Sequence, residues 1–269
     1  ALQTWARELA GAQPLLLGAR GTPADEPVRH REALDAQATA RLTGWAASLG
    51  LTPATVTAYA WGLVLSRLAD RSDVVFGTTI SGRPQSLPGA EQMVGLFINT
   101  VPMRIRLDEA ATVADACRDL QRSSARLRDL GYAGLADIAR AAGTGTLFDT
   151  LFVFENAPLG TATAPVSAAD GARFLPLAME SLAHYPLTVA AYLLDGELVV
   201  MTESVAAALG GIDPVQVVQR LLAVLRALPD LADGPPSAVD ALLDHERDRA
   251  GAPPRGAALP GGEQTAIGR

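Results

Sequence analysis

An α/β fold, a mixed β-sheet with helices packed against it, is what this sequence predicts. Three observations carry the prediction. Short apolar, β-branched runs alternate along the chain with segments of helical period. Several of the helical segments open on a capping residue, so their starts are marked. Two runs, 186–194 and 197–203, are joined by Asp195-Gly196, a hairpin turn, which adds antiparallel neighbours to the parallel ones that helical crossovers imply.

Residues 1–11 read as the last turns of an amphipathic helix, with Leu2, Trp5 and Leu9 on one face and Gly11 as the stop. Pro14 to Pro27 is a loop rich in Gly and Pro. Val28 to Leu34 alternates in polarity as a strand does. Asp35 then caps a helix to about Leu49, closed by Gly50. Thr52 caps the next helix, with Pro53 at its first position. That helix runs to about Ala69 and is apolar nearly all round, so it is expected to be buried on more than one side, with Tyr59 and Trp61 in the core.

Asp73 to Ile80 is a short β-branched strand ending in the turn Ser81-Gly82-Arg83-Pro84. Val94 to Arg106 reads as a buried strand whose Arg104-Ile105-Arg106 end alternates towards solvent. Thr112-Val113-Ala114-Asp115 is a capping box with Asp at its third position, opening a helix to about Leu130. A shorter helix spans Gly134 to Ala142, and Leu147 to Asn156 is a second buried strand. Pro158 to Gly171 is loop, and a further strand is expected over 172–183, before the hairpin. Asp213-Pro214 caps a helix to Ala227, and 237–246 reads as a last short helix. From Asp248 on, Ala, Pro and Gly dominate, as in a linker.

A chain of 269 residues suits one large domain or two small ones, and 49% hydrophobic with 19% charged residues is a soluble globular profile. The net charge of −7 points away from nucleic acid and anionic membranes, and no apolar run is long enough for a membrane span. All 22 basic residues are Arg, which leaves no lysine for Schiff-base chemistry. The single cysteine, Cys117, permits no disulfide and no thiolate cluster, and a reducing, cytoplasmic setting is the simplest reading. The chain begins mid-pattern without Met, so an excised piece of something longer is expected.

Catalytic signatures do not occur. There is no dinucleotide-binding glycine pattern, P-loop or nucleophile elbow. His30, His184 and His245 show no metal-ligand spacing. His30 and His245 read as surface residues, while His184 is structural or lines a cavity. Asp149 is a buried carboxylate, or caps or pairs at a strand end. Glu155 and Asn156 line a pocket or close a strand. Arg83 grips an anion or holds a structural ion pair. Asn99 is the sharpest candidate. An amide among apolar neighbours must find partners or cost roughly 1–3 kcal/mol, so Asn99 pins a neighbouring backbone or faces a ligand cavity.

Met93-Val94-Gly95-Leu96-Phe97-Ile98-Asn99-Thr100-Val101-Pro102-Met103-Arg104 resembles the fifth core motif of condensation domains of nonribosomal peptide synthetases. Asp73 to Pro84 is similar to the segment preceding that motif, Leu147 to Pro158 to a later strand, and Thr4-Trp5 to Gln13 to the helix after the N-terminal lobe. At the sixth motif the chain departs, with Leu130-Gly131-Tyr132-Ala133-Gly134-Leu135 where a His-Gln-Asp-like run often occurs. Asn99-Thr100 also differs from the Thr-Ser-like pair of epimerisation-type relatives.

The resemblance implies one lobe of a chloramphenicol-acetyltransferase-like fold, two of which form a V around a tunnel. It implies amide formation, an amine on one carrier-protein phosphopantetheine arm attacking a thioester on another. No cofactor is bound by the chain itself. The family's His-His-x-x-x-Asp-Gly motif is absent, so the chain is expected to be a C-terminal lobe, inert alone. Residues 1–235 would be that lobe and 236–269 a linker to an adenylation domain. Implied partners are the missing N-terminal lobe and donor and acceptor peptidyl carrier proteins. Asn99, Ser81, Arg83, His184, Tyr185, Glu155 and Asn156 would line the tunnel or the lobe interface. A competing expectation is a condensation-like module without catalysis that recruits a tailoring protein.

Overall fold

The computed structural model of the chain describes residues 1–18, 27–81, 89, 92–155, 166–167, 170, 172–174, 185–205, 209–243 and 245–247. In order, its elements are α1 (Leu2–Glu8), β1 (Val28–Leu34), α2 (Ala36–Ser48), α3 (Pro53–Ala69), β2 (Asp73–Ser81), β3 (Ile98–Arg106), α4 (Val113–Arg128) and α5 (Leu135–Ala141). They continue with β4 (Thr150–Glu155), the two-residue β5 (Val166–Ser167) and β6 (Arg173–Phe174), β7 (Leu187–Leu194), β8 (Glu197–Ser204) and α6 (Pro214–Ala227).

The helix starts follow the capping signals. Asp35 accepts from the Ala38 N–H, Thr52 from Thr55, Thr112 from Asp115 and Asp213 from Val215. Each satisfies a backbone donor that the first turn leaves open. Pro53 and Pro214 stand in the first turns, where no N–H is needed. Asp195 and Gly196 both have positive φ, 50° and 86°, the backbone a tight hairpin of this twist requires.

Six strands form one sheet in the order β1-β8-β7-β4-β2-β3. β2–β4 and β4–β7 are parallel, and β1–β8, β7–β8 and β2–β3 are antiparallel, so the sheet is mixed as the sequence predicts. Alternation sends Val74, Phe76, Phe152, Leu187, Val189, Ala191, Leu198 and Val200 into the main core with α2, α3 and α6. Every residue of α3 from Val56 to Ser66 is buried, which explains its apolar circumference. A second core gathers Trp5, Leu9, Val75, Val101, Ile138, Leu147 and Phe148 around α1 and α5.

Four expectations change. The strand expected from Val94 begins only at Ile98, and Val94, Leu96 and Ile98 are exposed. Their apolar character implies burial, but no described element covers them. The strand expected over Leu147 to Asn156 starts at Thr150, because Phe148 instead forms an isolated bridge with Leu15. Of the strand expected over 172–183, Arg173–Phe174 pairs with Val166–Ser167, and 175–183 lies outside the described residues. Of the helix expected over 237–246, a short 3-10 turn spans Pro236–Ala238, 239–243 are not helical, and 245–247 are helical.

The expected division after residue 235 falls inside packed structure. Val239 and Ala241 are buried in the main core. Arg220 of α6 donates to the Ala241 carbonyl at 2.9 Å and to both Glu246 carboxylate oxygens at 2.7 and 2.5 Å.

Candidate functional site

The site is built where β3 begins. Asn99 donates its Nδ2 to the carbonyls of Gly131 and Ala133, at 2.6 and 2.9 Å. Its Oδ1 accepts from the Thr100 N–H at 2.9 Å. The amide thus uses both donors and its acceptor, and of the two readings open in the sequence the backbone pin is the one observed. The pinned segment is the connection between α4 and α5. Carbonyls past the end of the helix need donors from elsewhere, and here side chains supply them: Trp5 Nε1 bonds the Leu130 carbonyl at 3.2 Å.

Gly131 leaves no free room for a side chain here. A Cβ there would meet Ile80 Cδ1 at 1.9 Å and the Arg128 carbonyl at 3.0 Å. Ile80 is the register partner of Asn99, so β2 and β3 press together on the connection.

Thr100 points to the opposite face of β3. Its side chain bonds the Tyr185 hydroxyl. Burial pushes the Tyr185 phenol above its usual range, and the bond to Thr100 opposes the rise. The Tyr185 ring packs on Phe148, with centroids 5.9 Å apart. Phe148 lies over Gly77, where a Cβ would stand 2.4 Å from the ring.

Asn99 and Tyr185 therefore meet at one strand, on its two sides, through Thr100. Ser81 closes β2 opposite Ile98. Glu155 ends β4 opposite Tyr192 and is exposed. Arg83, Asn156 and His184 lie outside the described residues. Asp149 accepts from the N–H groups of Leu17 and Gly18 at 2.9 and 2.6 Å, fastening the N-terminal loop to the start of β4.

Arg104, expected to reach solvent, is instead a buried hub. Its side chain is 6% exposed and grips the Asp73 carboxylate through Nε and Nη2 at 2.8 and 2.6 Å. Nη1 donates to the carbonyls of Glu8 and Ala10, both at 2.9 Å, and so caps the end of α1. A pocket of about 30 Å³ between Trp5, Val101, Met103, Leu120 and Leu127 has room for roughly one water molecule.

No base stands beside Asn99 or Tyr185 among the described residues. His30 bonds Glu32 at 2.8 Å on β1, at the far edge of the sheet. Cys117 is buried, and burial pushes its thiol up to about 12, so it stays protonated. Among the described residues no cluster of three His, Cys, Asp or Glu side chains could hold a metal ion, and no helix is long and apolar enough to cross a membrane.

The family model for the condensation domain matches residues 3–248. The chain belongs to the condensation-domain family. It is 42% identical over 166 residues to chondramide synthase cmdD of Chondromyces crocatus, covering 61% of this chain and 4% of that protein. It is 32% identical over 189 residues to vanchrobactin synthetase VabF of Vibrio anguillarum, covering 70% of this chain and 7% of the relative. The fold resembles the first condensation domain of the calcium-dependent antibiotic synthetase in complex with a substrate analogue. That match has a TM-score of 0.69 at 17% identity, and covers 90% of this chain and 53% of the other. This condensation-domain chain thus spans about half of that solved relative and a small part of the curated ones.

Thr100, Trp5, Gly131 and Arg104 are not among the site residues expected from sequence. Thr100 carries a signal, since it adjoins Asn99 and alternation must send it to the other face. Trp5 and Arg104 carry none, because their partners lie 125 and 96 residues away.

Proposed function

We propose that this chain is the C-terminal lobe of a two-lobed condensation domain, one half of an amide-forming acyltransferase of nonribosomal peptide synthesis. The match over residues 3–248 by a chain that fills 53% of a solved condensation domain carries the reading. In it, an aminoacyl amine on one carrier protein attacks the acyl or peptidyl thioester on another. The nitrogen–carbon bond forms, the carbon–sulfur bond breaks, and the proton released by the amine ends on the departing thiol.

The chain binds no cofactor of its own, since phosphopantetheine arrives on the donor and acceptor peptidyl carrier proteins. The N-terminal lobe and a following adenylation domain complete the assembly, in the cytoplasm. The buried Val239 and Ala241 support placing the lobe's end near residue 248, with a linker beyond it.

Asn99, Ser81, Arg83, His184, Tyr185, Glu155 and Asn156 serve the tunnel wall or the lobe interface. Their part is shape and position. Asn99 fixes the connection after α4, and Thr100 holds Tyr185 against Phe148. The His-His-x-x-x-Asp-Gly motif is absent from the sequence, so the lobe alone is inert.

The test is condensation between two loaded carrier proteins, with this chain alone and with the N-terminal lobe added. No turnover from the chain alone, and turnover on mixing, are expected. Turnover above background by the chain alone would overturn its inertness, and none from the mixture would count against amide formation.

A further inference from the structure

Tyr185 is half-buried and stands just before β7, yet what holds it comes from elsewhere in the chain. Its hydroxyl bonds the Thr100 side chain, and its ring packs on Phe148 with centroids 5.9 Å apart. It leans on the second core, whose buried members include Trp5, Leu9 and Phe148. A buried tyrosine needs a hydrogen-bond partner for its hydroxyl and packing for its ring. Here both supports are fastened by residues 1–18.

The first support is the start of β3. Thr100 follows Asn99, whose amide bonds the carbonyls of Gly131 and Ala133. Trp5 of α1 bonds the adjacent Leu130 carbonyl at 3.2 Å. The connection after α4 is thus gripped from two sides, by α1 and by β3. The second support is Phe148. Its ring lies against Gly77, where a Cβ would stand 2.4 Å away, so it cannot sink further towards the sheet. Its backbone is bridged by Leu15, whose N–H donates to the Leu147 carbonyl at 2.9 Å. Leu17 and Gly18 close the same seam on the Asp149 carboxylate.

We infer that residues 1–18 form a strap that positions Tyr185, gripping both supports of that side chain at once, through Trp5 and through Leu15. Trp5 and Leu15 are 0% and 2% exposed, so neither lets go without exposing apolar surface. They are positioning residues, acting on Tyr185 through Thr100 and Phe148. A displacement of α1 is therefore felt at Tyr185. The part Tyr185 plays in amide formation rests on the two-lobe reading above, whereas the strap itself does not.

The ring-flip rate of Tyr185, read by aromatic NMR of the chain alone and assigned with Tyr185→Phe, tests the strap. Trp5→Phe keeps an apolar ring but deletes the donor to Leu130, and is expected to speed flipping by about five-fold, the equivalent of one hydrogen bond. Asp149→Ala opens the other end of the strap and is expected to speed flipping similarly. Leu225→Ala removes a buried side chain from the main core, outside the second one, so it lowers stability while the Tyr185 rate stays as it is. Unchanged flipping in both strap variants would overturn the strap, and so would equally fast flipping in Leu225→Ala. A second measurement is condensation by the chain mixed with the N-terminal lobe. Trp5→Phe should lower turnover in the original chain and hardly lower it further in Tyr185→Ala, because the two act in series. Equal losses on both backgrounds would show that the strap does not act on the reaction through Tyr185. If the mixture does not turn over at all, the two-lobe reading fails, and the ring-flip rates still decide the strap.

Discussion

Replacing Asn99 tests the pin directly. Asn99→Ala removes two donors, to Gly131 and Ala133, and the acceptor of the Thr100 N–H. At about 1 kcal/mol of net stability for each hydrogen bond, the sum is about 3 kcal/mol. Asn99 is half-buried, so water can reach some of the vacated partners, and about 2 kcal/mol is the expected loss. Asn99→Asp preserves shape and the bond to Thr100, but turns a carboxylate towards two carbonyls 2.6 and 2.9 Å away from the present nitrogen. It should be worse than Ala at pH 7 by roughly 1–2 kcal/mol.

The sign with pH follows. The site disfavours the charged form, so the new carboxyl has a folded pKa above its unfolded value of about 3.9. Its stability is greatest below that value and is lost as pH rises through the raised folded pKa. The gap between Asn99→Asp and Asn99→Ala should therefore close on acidification. Denaturant titration of both variants at several pH values, with hydrogen exchange of residues 130–135, reads the result. An Asn99→Ala loss under about 0.5 kcal/mol with unchanged exchange over 130–135 would refute the pin. So would a gap between the variants that does not change with pH.

Gly131→Ala should destabilise by roughly 1–3 kcal/mol through the clash with Ile80 Cδ1. Adding Ile80→Val, which deletes that carbon, should recover part of the loss in a denaturant titration. Arg104→Met should cost about 2–3 kcal/mol, below the full penalty for a broken buried pair because Asp73 is 36% exposed. Hydrogen exchange should then show α1 opening first, and uniform destabilisation without local opening would argue against its role as the cap of α1. The Arg220 hydrogen bonds hold the Glu246 carboxyl down at about 2, below its ordinary 4.5. The folded pKa is depressed, so the contribution is present above pH 4.5 and disappears as pH falls towards 2. A carboxyl titration followed by NMR should find that low midpoint in the native chain, and Arg220→Gln should return it to the ordinary range.

Local chemistry is legible in the sequence and long-range partnership is not. Asp35, Thr52, Thr112 and Asp213 announce their helices because a cap acts on residues two or three positions away. The Asp195-Gly196 hairpin is legible for the same reason. Asn99 announces only that it needs partners, because Gly131 and Ala133 lie 32 and 34 residues away. Arg104 reads as a solvent residue because alternation says which side a strand residue faces, not what α1 brings to that side. Val94, Leu96 and Ile98 read as buried because composition reports what a segment prefers, whereas burial depends on a neighbour being there to cover it.

The fastening of the first 18 residues has a consequence for the order in which the molecule can form. Trp5 waits for Leu130, Leu15 for Leu147, and Leu17 for Asp149, which follows it by 132 residues. At ribosomal speeds of about 5–20 residues per second, Asp149 is made roughly 7–26 s after Leu17. Through that interval Trp5, Leu9 and Leu15 have no second core to enter. Nascent chains halted just before Leu147 should be cut by protease within residues 1–18, and chains halted well after Glu155 should be protected there. Equal sensitivity at both lengths would show that α1 finds shelter without the strand that later holds it. Residues 1–18 are thus secured late, although they are made before the segment that holds them.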